Sequence, residues 1–284
     1  IVPALAAGIR ARNEPLNVIL CENQLHCSDL MRGFLSKHVP EEKLKEVGLI
    51  ESVVSRMVPV LPAEERARDP LLAVAEDYAY LPIDRSGLVV PLPPVAALRP
   101  VDDFGAYVER KLFMHNMGHA VAAYLGYQSG CEYVHQAMAD EAIGATVDAA
   151  LRESAEALHR KHGMPRADLA AHAADLTRRF RNVALGDTVL RVAKDPVRKL
   201  RPDDRLVGAA LNCLDWDVEP EQIVRGIVAA FRFDAPGDPT AGEIQAVVRE
   251  QGIGQAFLQF TGRGPDSELG RRVLEAWTRT ETGE

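Results

Sequence analysis

The segment KLFMHNMGH, Lys111 to His119, gathers four side chains that can move or hold a proton. On an α-helix advancing about 100° per residue, His115 lies about 40°, His119 about 80° and Asn116 about 140° from Lys111. Gly118, at about 340° on the same wheel, would let another backbone or a ligand come close. Three readings stay open. Histidines four apart can ligate zinc, but Asn116 stands where H-E-x-x-H carries its glutamate, and Lys111 adds positive charge to the same face. The set could be an incidental polar face, although burying such groups unpaired is costly. Or it could run acid–base chemistry. An exposed lysine titrates near ~10.4, and burial or a neighbouring cation such as Arg110 would bring it towards working pH. Lysine would then take a proton from an alcohol or return it to a ketone, with the asparagine amide donating to the developing alkoxide and histidine orienting the hydroxyl.

The elements that must position these groups fall into two textures. The opening IVPALAAGIRAR reads as a helix with Val2, Leu5, Ala6 and Ile9 on one face. Leu16 to Cys21 is an apolar run that predicts a parallel strand buried on both faces. Ser28 is the expected cap of a helix that runs to Pro40. LIESVVSRMVPV and LLAVAEDYAYL read as further strands. PLPPVAALRP, with Pro91, Pro93, Pro94 and Pro100, reads as a linker. Beyond it nearly every segment has helical periodicity: FGAYVERKLFMHNMGHAVAAYLG, EAIGATVDAALRESAEALHRKHG, RLVGAALNCLDW, PEQIVRGIVAAF and SELGRRVLEAWTR. The expected architecture is α/β over residues 1–98 followed by all-α over 99–284.

Composition bounds the function. A chain of 284 residues, 47% hydrophobic and 26% charged, is that of a globular protein with room for two cores. A formal charge of −8 argues against broad nucleic-acid binding. No uncharged apolar window is long enough to predict a membrane span, and no signal peptide opens the chain. Cys21, Cys27, Cys131 and Cys213 form no C-x-x-C pair, which suggests small buried thiols in a reducing, cytoplasmic setting. RVAKDPVRKLRPDDR carries six basic residues and three acids in an otherwise acidic chain. It is either a helix end with paired charges or a local anion site. The chain begins at Ile1 in what reads as mid-helix, so further sequence is expected upstream.

YVERKLFMHNMGHAVAAYLG, with its K-x-x-x-x-N-x-x-H spacing, resembles the signature of the polyol-specific long-chain dehydrogenases, the mannitol dehydrogenase family. PLNVILCEN, SRMVP, DPLLAVAEDY and RFRNVALGDTVLRVAKDPVRKLRPDDRLV follow the family in order, so the resemblance covers essentially the whole chain. It implies the later part of a Rossmann-like dinucleotide-binding domain, its N-terminal part absent, and then a multi-helical substrate domain. It also implies an NAD-dependent, metal-independent oxidoreductase acting on a small polyol or sugar phosphate. For the phosphate-using branch the pair is mannitol 1-phosphate and fructose 6-phosphate. Residue by residue, it implies Lys111 as general acid or base, Asn116 and Asn23 as oxyanion donors, and His119 as the orienting group. Glu22 and Asn23 fall beside the cofactor, Arg198, Lys199 and Arg205 at the substrate phosphate, and Arg56 near the sugar.

Three positions depart from the family. His115 stands where an apolar residue is expected. Ser55 replaces an aspartate expected beside sugar hydroxyls. No G-x-G-x-x-G follows a strand here, and in the family that fingerprint lies in about the first 90 residues, upstream of Ile1. The alternatives are a related enzyme for free mannitol or a hexuronate, or a non-catalytic piece lacking the cofactor half. Whether the protein is a monomer or a dimer is not legible.

Overall fold

The computed structural model describes residues 1–22, 26–59 and 61–282. They divide into two compact units, 1–57 with 75–108, and 58–74 with 109–284.

In the first unit, α1 (Val2–Ala11) buries Ala6 and Ile9 against Leu35, Val39, Leu44, Val47 and Leu49, with Val2 and Leu5 packed alongside. β1 (Leu16–Leu20) pairs in parallel with β2 (Val47–Glu51), Leu16 opposite Val47. The burial expected of β1 is found in β2, which hides Val47 to Ile50, whereas β1 is half-buried throughout. Each strand has one strand partner among the described residues, but β2 is also packed by the helix at Cys27–Leu35 and by the segments Arg85–Gly87 and Leu81–Asp84.

The crossover between these strands carries α2 (Cys27–Leu35) and α3 (Glu41–Leu44). Ser28 is not the cap expected of it. Its hydroxyl and backbone N–H both donate to Glu51 Oε1, at 2.5 and 3.1 Å, and tie the first turn of α2 to the end of β2. The helix stops at Leu35, and Pro40 instead opens α3.

β3 (Leu81–Asp84) and β4 (Leu98–Val101) form a second parallel pair. The strands expected over 53–59 and 71–80 do not form; among the described residues between β2 and Leu81, only Ser52 makes a bridge, to Ile83. The proline-dense segment, in turn, is not all linker. It ends in β4, which tolerates Pro100 because the strand is bonded on one side only.

In the second unit the described elements are all helical. α4 (Ala63–Arg68) is short. α5 (Phe104–Arg110), most of whose residues belong to the first unit, continues into a π-helical turn, Lys111–Asn116, and then α6 (Met117–Gln128). Then come α7 (Val134–Ala139), α8 (Glu141–His162), α9 (Arg166–Phe180), α10 (Val189–Ala193), α11 (Pro196–Lys199), α12 (Val207–Asp215), α13 (Glu221–Phe231), α14 (Pro239–Thr261) and α15 (Glu268–Thr282).

α6 is apolar on every side and is the central helix, packed by α7, α8, α10 and α13. Small residues set these approaches. A Cβ on Gly226 would sit 2.5 Å from Val121, and one on Gly126 would sit 2.6 Å from the Ala137 Cβ. α8 starts where Asp140 accepts from Ala142 and Ile143 N–H, and ends at Gly163 with φ 65°. The Glu153 carboxylate on α8 caps α13, accepting from Gln222 and Ile223 N–H at 2.8 and 3.1 Å. Burial raises its pKa to about 7 despite those bonds.

Candidate active site

Lys111 opens the π turn and Asn116 closes it. The N–H of Met117 points to Leu112 O, five residues back, where an α-helix would bond four back. The expected single α-helix is therefore interrupted inside the motif. A π turn advances less per residue than an α-helix, so Asn116 stands nearer the direction of Lys111 than an unbroken α-helix would place it. Three consecutive residues of the turn, Phe113, Met114 and His115, are buried, because α8 and α12 both pack on it.

His119 lies one turn into α6. Its Nε2 is 3.2 Å from Asp187 Oδ2, with both side chains largely buried, and its ring stacks on Phe180 at 4.9 Å with planes 8° apart. Asp187 also pairs with Arg191. Burial pushes the Asp187 carboxyl up, but the bond and charge of His119, with Arg191, outweigh it and hold the group below the usual carboxylate range.

His115 is 5% exposed, 6.2 Å from the His119 ring and 5.8 Å from Phe180. Its Nδ1 is buried without a hydrogen-bond partner. Burial, then the charges of Arg179, His119, His172 and Lys111, hold its pKa well below the ordinary value and keep it neutral. His172 on α9 is pushed down to about 3 by burial, Arg110 and Arg179. One turn before Lys111 is complete, Glu109 bonds Lys161 Nζ at 2.8 Å and His162 Nε2 at 2.7 Å, which clasps the motif to the end of α8.

The other expected residues fall as follows. Gly118 admits no ligand: a Cβ there would meet Leu151 at 2.9 Å and Phe180 at 3.3 Å, so the glycine serves helix packing. Asn23 lies outside the described residues. Glu22 and Cys21 are exposed beyond β1; of the four thiols expected to be buried, Cys27 and Cys213 are, whereas Cys21 is exposed and Cys131 half-buried, and all four are free. Arg56 donates from Nε to Tyr78 O at 2.7 Å, and Ser55 is buried.

In the basic turn, Arg198 bonds Asp195 at 3.1 Å and Arg205 bonds Asp204 at 2.7 Å. Lys199 is 3% exposed, its ammonium donating to Lys194 O and Asp195 O; burial, then Arg205 and Arg198, lower its pKa to about 8. This turn adjoins the motif twice. Tyr124 on α6 donates to Ala193 O at 2.8 Å just before it. Gly208 at its far end is wedged so that a Cβ would lie 3.0 Å from Pro202 O and 3.1 Å from the Phe113 ring.

Asp187, Arg179, Phe180 and His172 carry no role in the sequence reading. The first three sit inside RFRNVALGDTV, which resembles the family as a block but offers no recognisable spacing to the motif.

Among the described residues no group of three or more His, Cys, Asp and Glu is placed to hold a metal ion. The geometry at the two motif histidines is cationic instead: His119 is committed to Asp187, and Lys111 and Arg179 act on His115. The resemblance also implies a dinucleotide. Among the described residues of the first unit, no glycine turn joins a strand to a helix. Gly48 and Gly87 abut each other's segments, a Cβ on Gly48 falling 2.4 Å from Gly87 O, while Gly8 and Gly33 lie inside helices. The described residues of this unit thus offer the strand ends beside Cys21 and Glu22, and no glycine-rich pyrophosphate turn. Among the described residues no helix is long and apolar enough to cross a membrane.

Comparison with known proteins adds the following. Residues 1–96 match the model of the mannitol dehydrogenase Rossmann domain, and residues 103–256 that of the mannitol dehydrogenase C-terminal domain. The mannitol-1-phosphate 5-dehydrogenase of Geobacillus thermodenitrificans is 36% identical over 99% of this chain and 74% of its own length. A D-sorbitol dehydrogenase solved in substrate-free form superposes with a TM-score of 0.78 at 19% identity, over 100% of this chain and 65% of that one. The Pseudomonas fluorescens mannitol 2-dehydrogenase, solved as a ternary complex with NAD and D-mannitol, gives 0.72 at 21% identity, over 99% and 63%. This chain thus spans somewhat under two thirds of the length of those two solved proteins.

Proposed function

The chain belongs to the mannitol dehydrogenase family, and from that premise we propose that it serves the NAD-dependent interconversion of mannitol 1-phosphate and fructose 6-phosphate, with Lys111 as general acid and base. The observation that supports this reading is the π turn, which Lys111 opens and Asn116 closes, three residues before His119, which is held on Asp187.

In the reducing direction the Lys111 ammonium gives its proton to the ketose carbonyl oxygen as the carbon is reduced; in the oxidising direction the free amine takes it from the alcohol. The Asn116 amide donates to the oxygen while it carries negative charge. Asn23 is the second such donor in this reading. His119 orients the reacting hydroxyl. No metal enters the scheme, because the groups around the reacting oxygen are cationic and amide donors that stabilise an alkoxide directly. NAD, when bound, would accept or supply the hydride; Glu22 and Asn23 are the residues of this chain assigned beside it.

The basic turn supports the phosphorylated substrate. Arg198 and Arg205 present guanidinium groups, and Lys199 beneath them holds the turn through its two carbonyl bonds. Arg56 is assigned near the sugar hydroxyls, where Ser55 replaces the family aspartate.

The test is oxidation of NADH with fructose 6-phosphate and with fructose, in EDTA, on the full chain and its Lys111→Ala variant. Turnover that needs the phosphate, survives EDTA and vanishes in the variant supports the reading. Turnover with fructose alone transfers it to a free polyol. Turnover lost to EDTA, or kept without Lys111, overturns the proposed mechanism.

A further inference from the structure

We propose that Asp187 is a positioning residue that holds His119 in one tautomer and one ring orientation, leaving Nδ1 as the ring's acceptor towards the reacting hydroxyl or Lys111. This rests on the function proposed above, but it can be tested apart from it.

The geometry is that of a buried, anchored pair. Nε2 of His119 and Oδ2 of Asp187 are 3.2 Å apart, with side chains only 15% and 11% exposed. A carboxylate only accepts, so the ring nitrogen facing it carries the hydrogen. In the neutral ring the proton is then fixed on Nε2 and the lone pair on Nδ1. Phe180, stacked on the imidazole with planes 8° apart, packs one face of the ring in that orientation.

Asp187 is itself held firmly. Its backbone carbonyl accepts from Val134 N–H at 2.9 Å, and Val189 N–H donates back to Glu132 O at 2.9 Å. This pair makes the antiparallel bridge between Tyr133 and Thr188, and it ties the Asp187 turn to the start of α7, which packs on α6. Thr188 caps α10 through Arg191 N–H, and the Arg191 side chain returns to the second Asp187 oxygen. Each carboxylate oxygen is therefore assigned: Oδ2 to His119, Oδ1 to Arg191.

The contrast with His115 shows what the pair supplies. Four residues earlier on the same helix, with Phe180 also nearby, His115 has no such acceptor for its Nδ1. Only one of the two motif histidines has a partner that sets which nitrogen bears the proton.

The experiment is a long-range 15N–1H correlation spectrum of histidine-labelled full chain, with the His119 signals assigned by their loss in His119→Gln. The wild-type spectrum should show the Nε2–H tautomer for His119. In Asp187→Asn, the Arg191 guanidinium takes the amide oxygen and turns the NH2 towards His119, so the spectrum should move to the Nδ1–H tautomer. With turnover in hand, Asp187→Asn should lower kcat by about 10- to 100-fold with KM changed less than about threefold, the size of one lost hydrogen bond to a charged group. Asp187→Glu should recover part of it.

A wild-type His119 in the Nδ1–H form overturns the proposal without any variant, so poor folding of Asp187→Asn cannot shelter it. A spectrum unchanged by Asp187→Asn, or a loss that appears only in KM, overturns it as well. If no polyol or polyol phosphate is turned over, the proposed function fails while the spectrum still judges the pair.

Discussion

Two clusters of the helical unit are rich in basic groups, and they differ in how those groups are satisfied. In the turn around Arg198 to Arg205, each cation has its own nearby acceptor: Arg198 with Asp195, Arg201 with Asp203, Arg205 with Asp204, and Lys199 on two carbonyls. In the motif cluster, two imidazoles, His115 and His172, are buried among cations with a ring nitrogen unpartnered, and only His119 is paired to an acid. The first arrangement is a turn whose charges are locally balanced, the one proposed to meet the phosphate. The second keeps neutral rings beside a lysine, at a cost in stability, which is the arrangement expected of groups that must exchange protons.

The sharpest way to break this contrast is Lys111→Ala. It should lower kcat by about 10²- to 10⁴-fold, the range of a lost general acid–base, in steady-state assays with unchanged thermal stability. A fall confined to KM would place Lys111 with the binding surface. Next in size, Arg205→Ala and Arg198→Ala should raise KM for the phosphorylated substrate by about tenfold each with kcat nearly unchanged, as for one charge-assisted bond. Equal effects on free fructose would remove the phosphate assignment from the turn.

The third expectation concerns acid. His115 and His172 stay neutral in the fold but take up protons below their ordinary 6.5 on unfolding. Stability should thus be full above pH 6.5 and fall as pH drops below it, with each ring adding about 1.4 kcal/mol per pH unit. Thermal melts of His115→Leu from pH 7 to 5 should show a shallower slope, and at pH 7 a melting point no lower than wild type. The smallest effect has the opposite sign. Glu153, ordinarily near 4.5, is raised to about 7 by burial. Its contribution is full below 4.5 and is lost as pH rises through 7, so Glu153→Gln should gain about 1 kcal/mol at pH 8 and nothing at pH 4. Denaturant titrations at the two pH values measure it.

Much of the fold is written in local pattern. The long helix from Glu141 is bounded by Asp140 and Gly163, both legible as cap signals, and the apolar ring of α6 announces a central helix. Local pattern misleads where tertiary setting overrides it. β1 and β2 are similar apolar runs, yet only β2 is fully buried, because neighbours rather than composition decide cover. Pro100 reads as a breaker but sits in a strand with one bonded edge. Gly118 reads as room for a ligand but is filled by Leu151 and Phe180.

At the site, amino-acid order alone supplies the chemical types: a lysine, an asparagine and a histidine at K-x-x-x-x-N-x-x-H spacing, and a basic turn in an acidic chain. These are local facts, readable because helical geometry ties spacing to direction. The π turn, the capture of His119 by Asp187 and the isolation of His115 are not local. They depend on which residues of α8, α9 and the loop before α10 reach the motif, and on how burial weighs each charge. Those energies exist only once distant segments have packed, so only the folded chain can assign the protons.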